Sequence, residues 1–389
     1  MSESVAVTHW GRIGPLFLTV LVDVFALTIV YPLLPYVAQH FGASPLVAGV
    51  LLASFSVCQL VSGPILGRLS DRYGRKPVLL VSQSGTLVGL LIMGLGQGLE
   101  WLFVGRILDG LTAGNLSTAQ AAIADNTAPE DRTKAFGLFG IAFGLGFLIG
   151  PALSGFMAER LGYSAPFLAA AGLSFTSVTL TALLVPRQDP RPSTTRSTFF
   201  QSTRRILSTP SARERILELF FYVASFATLT GGLAMFLERR MSFGPDRVGY
   251  AFAFSGLVGG LMQGGLGRLT RRHGEARISA VGTVIMVVGY VVLAGAHSLP
   301  VLGIALGIGG IGSAVVRPAL TTLVTTSVPD DERGLVLGVS QSASSLGQAL
   351  GPAVAGVLIN RGALAGWAIA AAVLASSTLV VRALSHRLT

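Results

Sequence analysis

Charge is scarce in this chain: only 12% of its 389 residues are Asp, Glu, Lys or Arg, roughly half the share of about 25% found in soluble domains. Lysine is nearly missing. Its two occurrences, Lys76 and Lys134, do not follow the glycine-rich pattern that cradles nucleotide phosphates, which excludes ATP hydrolysis by this chain alone. Cys58 is the single cysteine and sits in an apolar run, so no disulfide framework is available. All five histidines lie at or beyond the ends of apolar runs, and neither CxxC nor HExxH spacing occurs. No metal and no cofactor are expected. A cleavable signal peptide is also lacking, because Met1 to Trp10 is too short and too polar. The first apolar run is expected to act as the uncleaved insertion signal.

What the chain does have is hydrophobic residues, 51% of the total, and 49 glycines. Glycine is tolerated in membrane helices, where close helix contact favours small residues. Reading apolar runs of about 20 residues as spans gives twelve: roughly 13–38, 47–67, 78–97, 101–123, 134–158, 164–186, 214–237, 247–267, 277–297, 300–324, 334–359 and 363–384. The chain also repeats itself. Gly67-Arg68-Leu69 and Gly74 recur as Gly267-Arg268-Leu269 and Gly274; Arg132, Gly137, Gly150-Pro151 and Gly155 recur as Arg333, Gly338, Gly351-Pro352 and Gly356. The expected fold is an all-α membrane protein with 12 transmembrane helices in two six-helix, pseudo-symmetric bundles. The bundles comprise residues 1–186 and 214–389, joined by a polar linker at 187–213. A duplicated half in a membrane chain usually means two bundles that rock around a shared central site.

The net charge of +10 is distributed by side. The loops after even-numbered spans, with both termini, hold 21 of the 28 basic residues, whereas the opposite loops hold Arg160, Arg239, Arg240, Arg247 and Arg361. The positive-inside rule then puts both termini in the cytoplasm of a cell that carries the chain in its inner membrane. The basic balance is a topology signal, and nucleic acid is not an expected partner. The arginine-rich segment 187–213 can also touch anionic lipid headgroups.

Four ionisable residues fall inside the spans away from their ends, Asp23, Arg106, Asp109 and Arg317, whereas Glu218 and Glu238 lie at the ends of the seventh. Each costs roughly 3 kcal/mol at mid-helix on insertion scales, so each needs a partner or a watery cavity. Asp23 reads as a carboxylate that takes up and releases a proton, or as one that pairs with a neighbouring helix. Arg106 and Asp109, spaced i,i+3, share one helix face; they form an internal ion pair or a proton site whose carboxylate Arg106 holds and releases. Arg317, in the cytoplasmic third of the tenth span, can snorkel. Aromatics gather in the seventh span (Phe220, Phe221, Tyr222, Phe226 and Phe236), where they pack or line an apolar cavity. Gln341, Ser342, Ser344, Ser345 and Gln348 in the eleventh span suit interhelical hydrogen bonds.

Asp71 and Arg75 occupy a short cytoplasmic turn, and Asp125 ends the fourth span beside them. Opposite charges on neighbouring helices can latch that side shut, and the turn's glycines allow the approach. Gly150-Pro151 within the fifth span removes a backbone hydrogen bond and bends the helix. Gly144, Gly146 and Gly155 around it favour tight packing against the opposing half.

These residues match a family. Gly67-Arg68-Leu69-Ser70-Asp71-Arg72-Tyr73-Gly74-Arg75-Lys76-Pro77-Val78-Leu79 resembles the loop 2–3 signature of the major facilitator superfamily, and Leu102 to Gly114, with Arg106 and Gly110, resembles its fourth-span signature. Gly146, Gly150-Pro151 and Gly155 resemble the fifth-span antiporter signature, and Asp23 followed by Pro32 is similar to a first-span pattern of drug/proton antiporters. Three departures stand out. Asp109 stands where the fourth-span signature often has glutamine, Ser154 replaces a glycine of the fifth-span signature, and Arg271 holds the second-half place of Asp71.

The resemblance implies the twelve-span drug:H⁺ antiporter branch, which includes tetracycline-type exporters. It implies a non-enzymatic carrier, monomeric, exchanging a small lipophilic or cationic compound for H⁺ by alternating access. Under that reading Asp23, Arg106 and Asp109 belong to proton coupling. Gly67, Asp71, Arg72, Gly74, Arg75 and Asp125 form the cytoplasmic gate, and Gly146, Gly150, Pro151 and Gly155 form the antiporter motif. An exporter or facilitator of a specific metabolite, such as a sugar, siderophore or lysolipid, is the alternative on the same fold, and a non-transporting sensor is a third class.

Overall fold

The computed structural model describes residues 10–127, 132–186, 199–329 and 332–385, and among them every regular element is a helix. The first half runs α1 (Trp10–Val30), α2 (Leu34–His40), α3 (Pro45–Tyr73), α4 (Arg75–Leu95), α5 (Leu99–Leu111), α6 (Asn115–Asp125), α7 (Arg132–Leu161) and α8 (Ser164–Leu184). After α9 (Phe199–Ser208) the second half follows: α10 (Pro210–Met241), α11 (Pro245–His273), α12 (Glu275–Ala294), α13 (Leu299–Thr325), α14 (Arg333–Asn360) and α15 (Leu364–Ser385).

Ten segments are long and apolar enough to cross a bilayer. The other two places in the expected order of twelve belong to α5 with α6, and to α11. Glycine dilutes the hydropathy of α11, whose 29 residues are ample in length. The expected fourth span is interrupted at Thr112–Gly114, where Gly114 in particular is a poor helix former. The first span is broken at Tyr31–Leu33, where Pro32 cannot donate to the helix ladder.

The duplication extends to single backbone dihedrals. Gly42 (φ 81°) and Ser242 (φ 55°), Gly74 (91°) and Gly274 (77°), and Gly162 (87°) and Gly362 (76°) are left-handed pairs, each displaced by 200 residues. Every such position ends a helix. Glycine adopts this conformation without steric cost, and Ser242 is the exception that holds the same turn in the second half.

Residues 187–198 of the expected linker lie outside the described residues. The remainder is helical: α9 is amphipathic, with Ile206 buried against the second half and Arg205 paired to Glu332. Pro210 already begins α10, so the second bundle starts earlier than expected.

Glu218, expected at the end of a span, is instead fully buried. Arg382 of α15 grips it with both edges of its guanidinium, Nε to Oε1 at 2.9 Å and Nη2 to Oε2 at 2.6 Å, while Arg215 Nη1 donates to Oε1 at 2.9 Å. Arg382 also donates to the Ala276 carbonyl at 2.6 Å and to Ser279 Oγ at 3.0 Å, tying α15 and α12 to α10.

The two halves meet along two seams, α3 with α14 and α7 with α11, and the seams are pseudo-symmetric copies. A Cβ on Gly49 would strike the Pro352 carbonyl, and one on Gly249 would strike the Pro151 carbonyl. Gly356 faces the Pro45 carbonyl as Gly155 faces that of Pro245. These contacts lie at the end of the molecule that carries Gly42, Gly162 and Gly362. Tyr36 donates its hydroxyl to the Phe243 carbonyl there, and Gln39 Nε2 donates to Glu238 Oε2 at 2.8 Å. Midway along the first seam, Ser345 Oγ donates to Gln59 Oε1 at 3.3 Å. Toward the basic end the glycines are less tightly engaged, although Gly140 of α7 still faces the Gln263 side chain of α11. A Cβ on Gly63 or Gly67 of α3, on Gly264 or Gly265 of α11, or on Gly334 or Gly338 of α14 would meet no atom within 4 Å. The tightest backbone contacts between the halves are thus at the end opposite the basic loops.

Candidate transport site

Asp23 sits half-buried on α1, midway between the two ends. Gln83 of α4 donates through Nε2 to Asp23 Oδ2 at 3.2 Å and to Ser177 Oγ of α8 at 2.9 Å. Ser174 Oγ donates to the Gln83 backbone carbonyl at 3.2 Å, so α8 holds α4 in the register that presents the amide. Asn115, the first residue after the break between α5 and α6, brings its side chain to the same carboxylate. The interruption of the fourth span thus serves the site.

Arg106 and Asp109 are buried and paired, Nη1 to Oδ2 at 3.3 Å. Two close helix approaches position them. Gly89 of α4 and Gly105 of α5 each face the other's carbonyl with no room for a Cβ, which lets the Thr86 hydroxyl reach Asp109 Oδ1 at 2.8 Å. Gly110 packs on the Phe55 backbone of α3, and Ser62 Oγ donates to the Gly110 carbonyl at 2.8 Å. The Phe55 ring consequently lies 4.4 Å from the Arg106 guanidinium carbon. The two carboxylates do not share a hydrogen bond. Gln83 and Thr86 join them through one face of α4, because residues three apart are neighbours on a helix.

Three polar side-chain atoms around this group have no protein partner: Gln83 Oε1, Asn115 Oδ1 and Arg106 Nε. Buried polar atoms are ordinarily satisfied. Such atoms beside a cleft can bind water, a proton donor or cargo. Among the described residues no group of three or more His, Cys, Asp or Glu is placed to hold a metal ion.

Sequence reading missed Gln83, Thr86, Ser177 and Phe55. The available signal was weak: a glutamine and a threonine, three residues apart, inside the apolar run expected at 78–97.

At the basic end, Gly74 makes the turn between α3 and α4. Arg75 Nη1 donates to Asp71 Oδ1 at 2.6 Å and to Ser70 Oγ at 3.0 Å, and its Nε donates to Asp125 Oδ2 at 3.0 Å. The charges expected as a gate therefore form one chain across α3, α4 and α6. Arg72 lies over the Tyr73 ring, 5.3 Å from its centre, and Gly67 faces open space.

The fifth-span glycines divide their work. Gly155 packs across the seam against Pro245 and Asp246, as expected, but Gly146 and Gly150 pack within their own half, against Val24 and Thr28 of α1. Gly144 contacts nothing within 4 Å. The expectation that all three of Gly144, Gly146 and Gly155 face the opposing half is corrected: α7 crosses α1 on one face and α11 on another, and only Gly155 lies on the second. The repeat obeys the same rule. Gly351 packs on Thr228 of α10 as Gly150 packs on Thr28.

Arg317 is exposed on α13, and its guanidinium carbon lies 6.0 Å from the centre of the Phe143 ring on α7, across the seam. In the seventh span, Phe236 packs in the core against Trp367 with ring centres 5.1 Å apart, while Tyr222 and Phe226 stack at 6.3 Å.

A multi-pass membrane transporter is the class this architecture defines: matched helical bundles in close contact at one end, with ionisable groups held inside the first. The Major Facilitator Superfamily profile matches residues 16–272 and again 216–387. The class C tetracycline resistance protein of Escherichia coli is 33% identical over 348 residues, covering 86% of each chain. Major facilitator superfamily domain-containing protein 10 of Mus musculus is 27% identical over 391 residues, covering 87% of this chain and 85% of its own. The crystal structure of the human organic anion transporter MFSD10 (TETRAN) superposes with a TM-score of 0.77 at 23% identity, covering 96% of this chain and 99% of that one. The chain belongs to the Major Facilitator Superfamily. It is a transporter and not an enzyme.

Proposed function

We propose that the chain is a proton-coupled exporter that exchanges H⁺ for small lipophilic compounds by alternating access, acting as a monomer of twelve spans. Both termini and residues 187–213 face the cytoplasm, and the two bundles, 1–186 and 214–389, rock about the cleft. The basic end is then the cytoplasmic end, opposite the tight glycine–carbonyl contacts of the two seams.

One observation supports the reading: Asp23 stands midway along α1, within reach of an amide, a hydroxyl and Asn115, but with no cation bonded to it among the described residues. An isolated carboxylate inside a membrane is costly when ionised. It is relieved by a proton, by water or by a cationic cargo, and these alternatives exclude one another. Asp109 differs because Arg106 and Thr86 already satisfy it; it is the secondary proton site. The Asp71–Arg75–Asp125 chain holds the cytoplasmic ends of α3, α4 and α6 as one body, the part that must meet the second half when the cleft closes on that side. Gly150 and Pro151, through Thr28 and Gly249, couple α1 to the extracellular seal.

The test is proton release. Protein reconstituted in proteoliposomes with a lumenal pH dye is challenged with tetracycline-like and cationic compounds. Coupled antiport moves protons opposite to cargo, whereas cargo flux without proton movement would favour a facilitator of a specific metabolite.

A further inference from the structure

We propose that Arg317 and Phe143 form an anion-binding subsite in the cleft, so that the cargo carries an acidic oxygen on an aromatic or similarly flat apolar body. This deepens the exporter reading and rests on it for the word cargo, not for the binding.

Depth is the first argument. Arg317 lies eight residues from the cytoplasmic end of α13 (Leu299–Thr325), about 12 Å of helix at 1.5 Å per residue. Its neighbour Phe143 lies eleven residues inside α7 (Arg132–Leu161), about 16 Å by the same rise. The guanidinium therefore reaches across the seam at depth and does not run out to the cytoplasmic surface, as a snorkelling side chain would.

Partnership is the second. Every other arginine placed deep in a helix bundle is neutralised: Arg106 by Asp109, and Arg382 by Glu218. Among the described residues Arg317 has no carboxylate partner; the Phe143 ring face lies beside it, and Tyr222 is an electrostatic neighbour. An intramembrane cation without a counter-ion marks a ligand path. A guanidinium is planar, remains charged and offers paired donors that match a carboxylate or enolate.

The surroundings supply the body of the ligand site. Phe143 stacks with Phe147 at 6.4 Å between ring centres and 21° between planes. It also packs against the buried cluster that contains Val20 and Val24 of α1. A flat apolar body lying against the Phe143 and Phe147 rings has the Arg317 guanidinium at its edge. That arrangement suits an anionic lipophile better than a simple cation.

Three naphthyl probes of one shape test this: 2-naphthoate, 2-naphthylmethylammonium and 2-naphthalenemethanol, titrated against purified full-length protein by calorimetry. Wild-type protein should bind the carboxylate more tightly than the neutral alcohol. Arg317→Gln should weaken 2-naphthoate by about tenfold, the worth of one charge-assisted contact, and leave the ammonium probe unchanged. Asp23→Asn should do the reverse. Equal loss of all three probes in Arg317→Gln would mark a structural role and overturn the proposal. So would a wild-type protein that prefers the alcohol to the carboxylate, a result that needs no variant to fold. Proton release is read on the same samples. If no probe releases a proton but 2-naphthoate still depends on Arg317, the subsite stands and the antiport reading fails.

Discussion

The Pro151 carbonyl of α7 lies against Gly249 of α11 so closely that no side chain could replace the glycine's hydrogen. Its repeat partner, the Pro352 carbonyl of α14, lies the same way against Gly49 of α3. The Gly-Pro motif is thus part of the seal in both halves. Proline supplies the carbonyl that meets the opposite bundle, and the glycines let α7 and α14 lie close to their neighbours.

Gly249→Leu should therefore break this seal without disturbing either bundle. The collision is with backbone, which cannot rotate out of the way. Expected outcomes are loss of transport and new labelling of a cysteine placed at Gln39, in a background carrying Cys58→Ser. Protection of that cysteine equal to the parent's would show that the seam tolerates the bulk and is not the seal.

Asp71→Asn should weaken the chain that runs through Arg75 to Asp125, because a neutral amide loses the charge-assisted bond of 2.6 Å. Asp71 is 40% exposed, so folding and insertion should persist while transport falls sharply. Normal transport at normal expression would remove the latch from the account. Arg271, at the matching second-half position, cannot substitute for the lost carboxylate.

Glu218 presents the opposite case, a buried ion cluster that serves stability. Removing one partner of a buried pair leaves the other uncompensated, at a cost of about 3–5 kcal/mol. Glu218→Gln should therefore lower the melting temperature of detergent-solubilised protein markedly, and Arg382→Gln should do the same. The double variant should be less damaging than the sum, since neither charge is then stranded. Additive losses would mean that the two residues act on separate partners.

The architecture was largely legible in the sequence because hydropathy and the 200-residue repeat are long-range signals. Places such as Gly74 and Gly274 or Gly162 and Gly362 show the repeat holding to the level of one dihedral angle. What stayed hidden was local. Gln83 and Thr86 looked like minor interruptions of an apolar run, and only the approach of Gly89 to Gly105 shows why their side chains reach two carboxylates. Glu218 looked like a residue at the end of a span because hydropathy falls off at Arg215, but the helix and its packing continue to Pro210. Hydropathy reports the solvent preference of a segment; it does not report which charges a neighbouring helix will neutralise.

Ser242 is a small test of that repeat. It holds a left-handed conformation that glycine holds at Gly42, and for a residue with a Cβ this costs about 1–2 kcal/mol. Ser242→Gly should raise thermal stability slightly and leave transport intact. Destabilisation would mean that the serine side chain makes a contact worth more than the strain.

Proton coupling makes the most demanding prediction. Asp23 accepts a hydrogen bond from Gln83 but has no bonded cation among the described residues, whereas Asp109 has Arg106 at 3.3 Å and Thr86 at 2.8 Å. Protonating Asp23 removes a charge that the membrane disfavours; protonating Asp109 would strand a buried guanidinium. The proton should therefore go to Asp23 first. Binding of cargo at Asp23 must expel it, and by reciprocity a proton must weaken cargo binding by the same factor. Asp23→Asn should abolish substrate-induced proton release in detergent and proton-driven efflux in vesicles, while some binding or downhill exchange survives. Asp109→Asn should give a milder transport defect, with release of the Asp23 proton preserved. If release is lost in Asp109→Asn and kept in Asp23→Asn, the order of the two carboxylates is reversed. Full release from the double variant would move the search to Glu238, which accepts a hydrogen bond from Gln39 of the other half.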